Sequence, residues 1–134
     1  MAEIFEEVLN EELIQKNVND SEKAFLNILE LAEIFGELKE RERKIYTSAK
    51  GEIITASFEV KKSFDSISFL NFYFEIIVEE NFIKIYIKSS LNSALEQSEF
   101  LFNEFYINKY YPKLLEKSKK ISKEFIEKIK QIIS

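Results

Sequence analysis

Cysteine, histidine and tryptophan are missing from this chain, and it holds only two glycines, one proline and two aspartates. Without cysteine there are no disulfides, thiolate nucleophiles or zinc–sulfur sites, and a reducing, cytoplasmic setting is the expectation. Without histidine, Ser–His and Cys–His catalytic pairs and His-ligated zinc or iron are excluded too. Gly36 and Gly51 are the only glycines. Neither lies in a phosphate-cradling loop that opens a helix, so nucleotide binding of the Walker or Rossmann kind is excluded. Two distant aspartates, Asp20 and Asp65, are a poor start for an oxygen-ligated Mg²⁺ or Ca²⁺ site. The expectation is a chain with no metal, no cofactor and no catalytic residues.

Long hydrophobic runs are also lacking. Glu or Lys interrupts every apolar stretch well short of the roughly 18 residues that suggest a membrane span. The opening "MAEIFEEVLNEEL" has no basic segment leading into an apolar one and does not read as a signal peptide. Membrane association is not expected.

Hydrophobic residues make up 46% of the 134. That is enough for one core without staples, so residues 1–134 are read as a single domain. The formal charge of −5 conceals a gradient: residues 1–40 carry −8, residues 41–108 carry −2, and residues 109–134 carry +5.

Ile4, Phe5, Val8, Leu9 and Leu13 recur at helical spacing, predicting a helix over 2–16. Asn19 followed by Glu22 fits a capping box, and a second helix over about 20–40 would bury Phe25, Ile28, Leu29, Ala32 and Phe35. That helix runs into "ELKERERK", where Glu37–Arg41 and Glu40–Lys44 stand at i,i+4 spacing, as on a solvated helix end. Two strands follow, joined near Lys50-Gly51, then the connection "KKSFDS". "ISFLNFYFEIIVE" and "FIKIYIKS" are the third and fourth strands, joined at Glu80-Asn81. A third helix opens in "SSLNSALEQ" with Ser93 and Glu96 as its capping box, carries Leu95, Leu101, Phe102, Phe105 and Tyr106, and ends at "NKYYP". Pro112 starts the last helix, about 112–133, with Leu114, Leu115, Ile121, Phe125, Ile129 and Ile132 on one side and lysines on the other. The fold class expected is α+β: a four-stranded antiparallel meander flanked by two N-terminal and two C-terminal helices, ααββββαα.

The two-residue turn fixes the register of the last hairpin. Val78 faces Ile83, Ile76 faces Ile85 and Phe74 faces Ile87, an apolar face continued by Ile54, Ala56, Phe58 and Val60. A bulge around Leu70-Asn71 would return Ile67 and Phe69 to that side. The opposite face shows Tyr46, Thr55, Ser57, Glu59, Lys61, Tyr73, Glu75, Ile77, Glu79, Phe82, Lys84, Tyr86 and Lys88, a mixed-charge, partly aromatic surface. Glutamates could in principle do acid–base work there. Lysines on the adjoining strand make exposed ion pairs the simpler account.

Thirteen Phe and six Tyr exceed what a small core needs, and aromatics anchor interfaces. The expected function is a non-catalytic protein–protein interaction module of the adaptor, chaperone, inhibitor or immunity type, self-associating as a homodimer. Tyr73, Phe82, Lys84, Tyr86, Lys88, Tyr106, Tyr110 and Tyr111 are the candidate partner-binding residues. The alternative is single-stranded nucleic-acid binding, with bases stacked on Tyr73, Phe82 and Tyr86 and lysines along the backbone. Glu59, Glu75 and Glu79 on the same surface and only two arginines oppose it.

Overall fold

A computed structural model describes residues 2–95 and 106–134, with the side chains of 5–93 and 108–134. The chain forms strand β1 (Ala2–Lys16), helix α1 (Ser21–Phe35), strands β2 (Glu37–Ser48), β3 (Gly51–Ser63), β4 (Ser68–Glu79) and β5 (Phe82–Leu95), a π-helical turn (Tyr106–Tyr110) and helix α2 (Tyr111–Ile133). All five strands join one antiparallel sheet in the order β1-β5-β4-β3-β2. This corrects the expected four-stranded ααββββαα arrangement. One helix lies between the first two strands, and one C-terminal helix is found among the described residues.

Residues 2–16 are a strand because β5 offers them a long edge. β5 runs for 14 residues, and β1 pairs with it from Ala2↔Leu95 to Lys16↔Phe82, with a bulge between Glu7 and Leu9. Pairing of this length overrides the helix preference of a Glu- and Leu-rich segment. The expected third helix is corrected in part by the same strand. Ser93 does not cap a helix; it lies in β5, buried, with its hydroxyl 3.2 Å from Ser68 Oγ. Leu101, Phe102 and Phe105 lie outside the described residues, as do the side chains of Leu95 and Tyr106.

Helix α1 is capped one residue later than expected: Asp20, not Asn19, accepts the Lys23 N–H at 3.0 Å. It also ends earlier, at Phe35, where the Gly36 N–H closes on the Ala32 carbonyl at 3.1 Å. A Cβ on Gly36 would sit 2.5 Å from the Lys61 carbonyl oxygen, so only glycine lets the chain turn from α1 into β2 this close to β3. Beyond it "ELKERERK" is an edge strand. The helical pairs Glu37–Arg41 and Glu40–Lys44 are replaced by Arg41–Glu59 across to β3 (2.6 Å), Glu40–Arg43 (2.6 Å) and Glu42–Lys44 (2.8 Å).

The β4–β5 hairpin has the register read from its alternation, with Val78↔Ile83, Ile76↔Ile85 and Phe74↔Ile87 opposed and Asn81 in the left-handed region at φ 58°. The expected bulge at Leu70-Asn71 is absent, since β4 pairs with both neighbours without a shift from Phe69 onward. Leu70 is therefore buried, while Phe69 turns to the opposite side, beneath the Lys61 ammonium 4.4 Å from its ring centre.

Both helices pack on the same face of the sheet. Phe125 of α2 stands at its centre, with ring centroids 4.2 Å from Phe35, 4.8 Å from Phe72 and 5.3 Å from Phe74. Ile126, Ile129 and Ile133 continue this contact toward the end of α2. Toward its start, α2 rests on serines: Ser118 and Ser122 are buried, and Ser122 shares a 2.9 Å hydrogen bond with Ser89 of β5. A smaller cluster around Leu91 and Leu114, with Tyr110, Tyr111 and Phe64, seats the first turn.

Candidate functional site

With α1 and α2 on one face, the other face has no covering layer among the described residues. Strand pairing brings its side chains into rows that cross the sheet. One row reads Glu12, Tyr86, Glu75, Ser57, Glu42 from β1 to β2. The next, two residues along each strand, reads Ile14, Lys84, Ile77, Thr55, Lys44. On the other side of the glutamate row stand Asn10, Lys88, Tyr73, Glu59 and Lys39. A row whose charges are all carboxylates is thus followed by one whose charges are all ammonium groups.

Long side chains at the margins and short ones in the middle leave a shallow depression of about 490 Å³ over this face. Thr55 and Ser57 lie under it, Tyr46 and Tyr86 stand around it, and three glutamates and two lysines line it. The charges are paired in place. Lys84 Nζ lies 3.3 Å from Glu12, Lys88 lies 3.6 Å from Glu7, and Glu42 and Lys44 form the short pair described above. Hydrogen bonding to Glu42, then its charge, raises the Lys44 ammonium above the ordinary lysine value, which keeps it protonated. Tyr73 donates its hydroxyl to Glu75 Oε1 at 2.8 Å. That bond foremost, then partial burial and the charges of Glu75, Glu59 and Glu42, hold its phenol above the usual range and therefore neutral. Apolar groups sit among these pairs: Ile14 is 52% exposed, Tyr46 50% and Ile77 36%.

Of the residues singled out from the sequence, Tyr73, Lys84 and Tyr86 line the depression, and Phe82 and Lys88 flank it on the same face. Tyr110 and Tyr111 do not join them. They pack in the Leu91–Leu114 cluster on the helical side, where the Tyr110 hydroxyl donates to Asp65 Oδ2 at 2.9 Å. They are half-buried parts of the scaffold. Glu12 and Ile14 from β1, and Glu42 and Lys44 from β2, complete the site; β1 and the first part of β2 read as helix, while the later part of β2 is the first of the two strands expected around Lys50-Gly51. The two-residue alternation of sign in Arg41, Glu42, Arg43 was the signal that this strand begins before Lys44.

Chemically, the face offers fixed ion pairs, phenol donors and exposed aliphatic groups. Among the described residues no cluster of three or more carboxylates is placed to hold a metal ion, and no helix is long and apolar enough to cross a membrane. A scan against protein-family models and searches of the curated proteins and of the solved structures found no match.

Proposed function

We propose that this chain is a non-catalytic protein-interaction module whose uncovered sheet face receives a folded protein partner. The observation that carries this reading is the exposure of Ile14, Tyr46 and Ile77 among ordered ion pairs on one continuous face. An antiparallel sheet can leave one side in water, but that side is then ordinarily polar throughout. Aliphatic and tyrosine anchors set in a field of oriented charges are what protein interfaces use for affinity and for register.

Single-stranded nucleic acid would need the same tyrosines together with lysines free to meet phosphates. Lys84 and Lys88 are instead held by Glu12 and Glu7 of the neighbouring strand. The test is fluorescence titration of the pure protein against single-stranded DNA and RNA at low and high salt, beside affinity capture from the native host. Capture that is lost in the Ile77→Lys/Tyr86→Ala variant and kept in a Lys120→Ser control, with flat titrations, is the expected result. Micromolar, salt-sensitive binding to single strands that disappears with Lys84→Glu overturns the reading in favour of nucleic acid.

A further inference from the structure

We propose, building on the interaction-module reading, that the partner is a second copy of this chain, stacked sheet face to sheet face about a two-fold axis. That axis runs across the strands, between the glutamate row and the lysine row.

The row pattern selects the axis. A two-fold between stacked sheets can run along the strands or across them. Along the strands, it lays each row on its own counterpart, and Glu12, Glu75 and Glu42 of one copy meet the same carboxylates of the other. Across the strands, between the two rows, it lays the glutamate row on the lysine row. Glu42 then stands over Lys44 of the second copy and Tyr86 over its Lys84, Glu12 and Glu75 come over Ile14 and Ile77 instead of over carboxylates, and the Glu42–Lys44 pair, 2.8 Å within one chain, stacks on an identical pair pointing the other way. Charge complementarity of this kind specifies register, and the apolar groups beside it supply affinity. The contact is isologous, so it closes as a dimer rather than extending into a fibre.

The dimensions suit it. With the axis between the two rows, about seven residues of β1, β5 and β4 and about eleven of β3 and β2 overlap, a projected area on the order of 700 Å² per copy, within the range of roughly 600–1,000 Å² per partner in a standard interface. Stacked antiparallel sheets ordinarily align within about 30°. The two sheet edges are poor competitors: β1 and β2 each carry a bulge, and β2 is studded with exposed charges, the devices that keep edge strands from pairing.

Glu42 and Lys44 are exposed to the same extent, 57% each, so reversing either leaves the fold alone. Sedimentation equilibrium gives the dimer constant at low and high salt. Glu42→Lys alone sets like charges opposite each other at both symmetric sites, as does Lys44→Glu alone, and each weakens the dimer at least about tenfold. Mixing the two variants in equal amounts restores both sites and returns dimerisation to within about threefold of the wild type. A dimer indifferent to the single reversals, or singles that the mixture does not rescue, overturns the proposal. A photo-crosslinker at position 77, used in the native host, separates this failure from failure of the module reading. An adduct of twice the chain's own mass supports the second copy. An adduct with a different protein, from a chain that sediments as a monomer, overturns the second copy and leaves the module reading standing. No adduct from this face overturns both.

Discussion

Replacing Phe125 by alanine probes the contact that seats α2 on one face of the sheet. The ring is fully buried and touches Phe35 of α1 and Phe72 and Phe74 of β4, with centroids between 4.2 and 5.3 Å away. Truncating a buried phenylalanine costs about 3–5 kcal/mol through lost transfer energy and the cavity left behind. Three ring partners, each contributing about 0.5–1.5 kcal/mol beyond area, place this site in the upper half of that range. Against a total of roughly 7–20 kcal/mol for 134 residues, the loss is severe but survivable. With an unfolding entropy near 2.1 cal/mol/K per residue, about 4 kcal/mol lowers Tm by roughly 14 °C.

Urea unfolding followed by far-UV circular dichroism and by the fluorescence of the six tyrosines measures this directly, since no tryptophan masks them. The two probes should coincide, with the denaturant slope unchanged. Ile34→Ala is the matched control: at 79% exposure on α1 it should move stability by no more than about 0.5 kcal/mol. A loss below about 1 kcal/mol for Phe125→Ala would refute the seating of α2 on this aromatic cluster. A separate early transition carrying the helical signal would show that α2 docks as an independent unit.

Four further outcomes follow from particular contacts. Ser118 Oγ is fully buried without a hydrogen-bond partner among the described residues, so Ser118→Ala should be neutral or stabilise by up to about 1 kcal/mol; Ser122→Ala strands the Ser89 hydroxyl and should cost about 1–2 kcal/mol, largely recovered in the Ser89→Ala/Ser122→Ala double variant, as read from urea midpoints. Gly36→Ala forces its Cβ against the Lys61 backbone and should cost about 1–3 kcal/mol in the same assay, although the extended backbone there suits any residue. Burial alone would raise the Asp65 carboxyl, but hydrogen bonds from the Ile67 N–H, the Tyr110 hydroxyl and the Ser68 N–H outweigh it and hold the group below the usual carboxylate range. Its contribution is therefore complete above the unfolded value near 3.9 and is lost as pH falls through the lower folded value, so Asp65→Asn should flatten the acid limb of stability against pH.

The β4–β5 hairpin was legible because its inward side chains alternate without interruption and Glu80-Asn81 supplies a two-residue turn with one left-handed residue. From it came the correct facing of Tyr73, Lys84 and Tyr86. β1 was illegible for a specific reason. Leu9 and Leu13 are four residues apart, a spacing that satisfies one helical turn and one strand face equally, and the bulge between Glu7 and Leu9 brings Val8 to the core as a helix would. β2 was legible only in its later part: the strand and hairpin expected around Lys50-Gly51 are there, but the stretch before Lys44 is almost wholly exposed, so no apolar period marked it and it read as a helix end. The stripe on α2 was found in part. Leu114, Phe125 and Ile129 are buried as expected, but Ser118 and Ser122 share their face and gave no hydrophobic signal.

These misreadings bear on the charge gradient as well. An acidic N-terminal helix and a basic C-terminal helix would pair with each other. As a strand, the N-terminal segment instead turns Glu7 and Glu12 to the face opposite the helices, where they neutralise Lys88 and Lys84. α2 keeps its own account: Lys128 pairs with Glu124 and Lys130 with Glu127 on the same helix. The acidity of the first segment is therefore spent on the sheet face, making that face balanced in charge, while the lysines of α2 lie on the opposite side of the molecule. A balanced face with ordered rows of opposite sign suits its own copy better than a strongly charged ligand of either sign. In a face-to-face dimer the two α2 helices stand on opposite outer surfaces, far from the contact. Added salt then acts on association through the Glu42–Lys44 pairs, and charge reversal on α2 should leave the dimer constant unchanged.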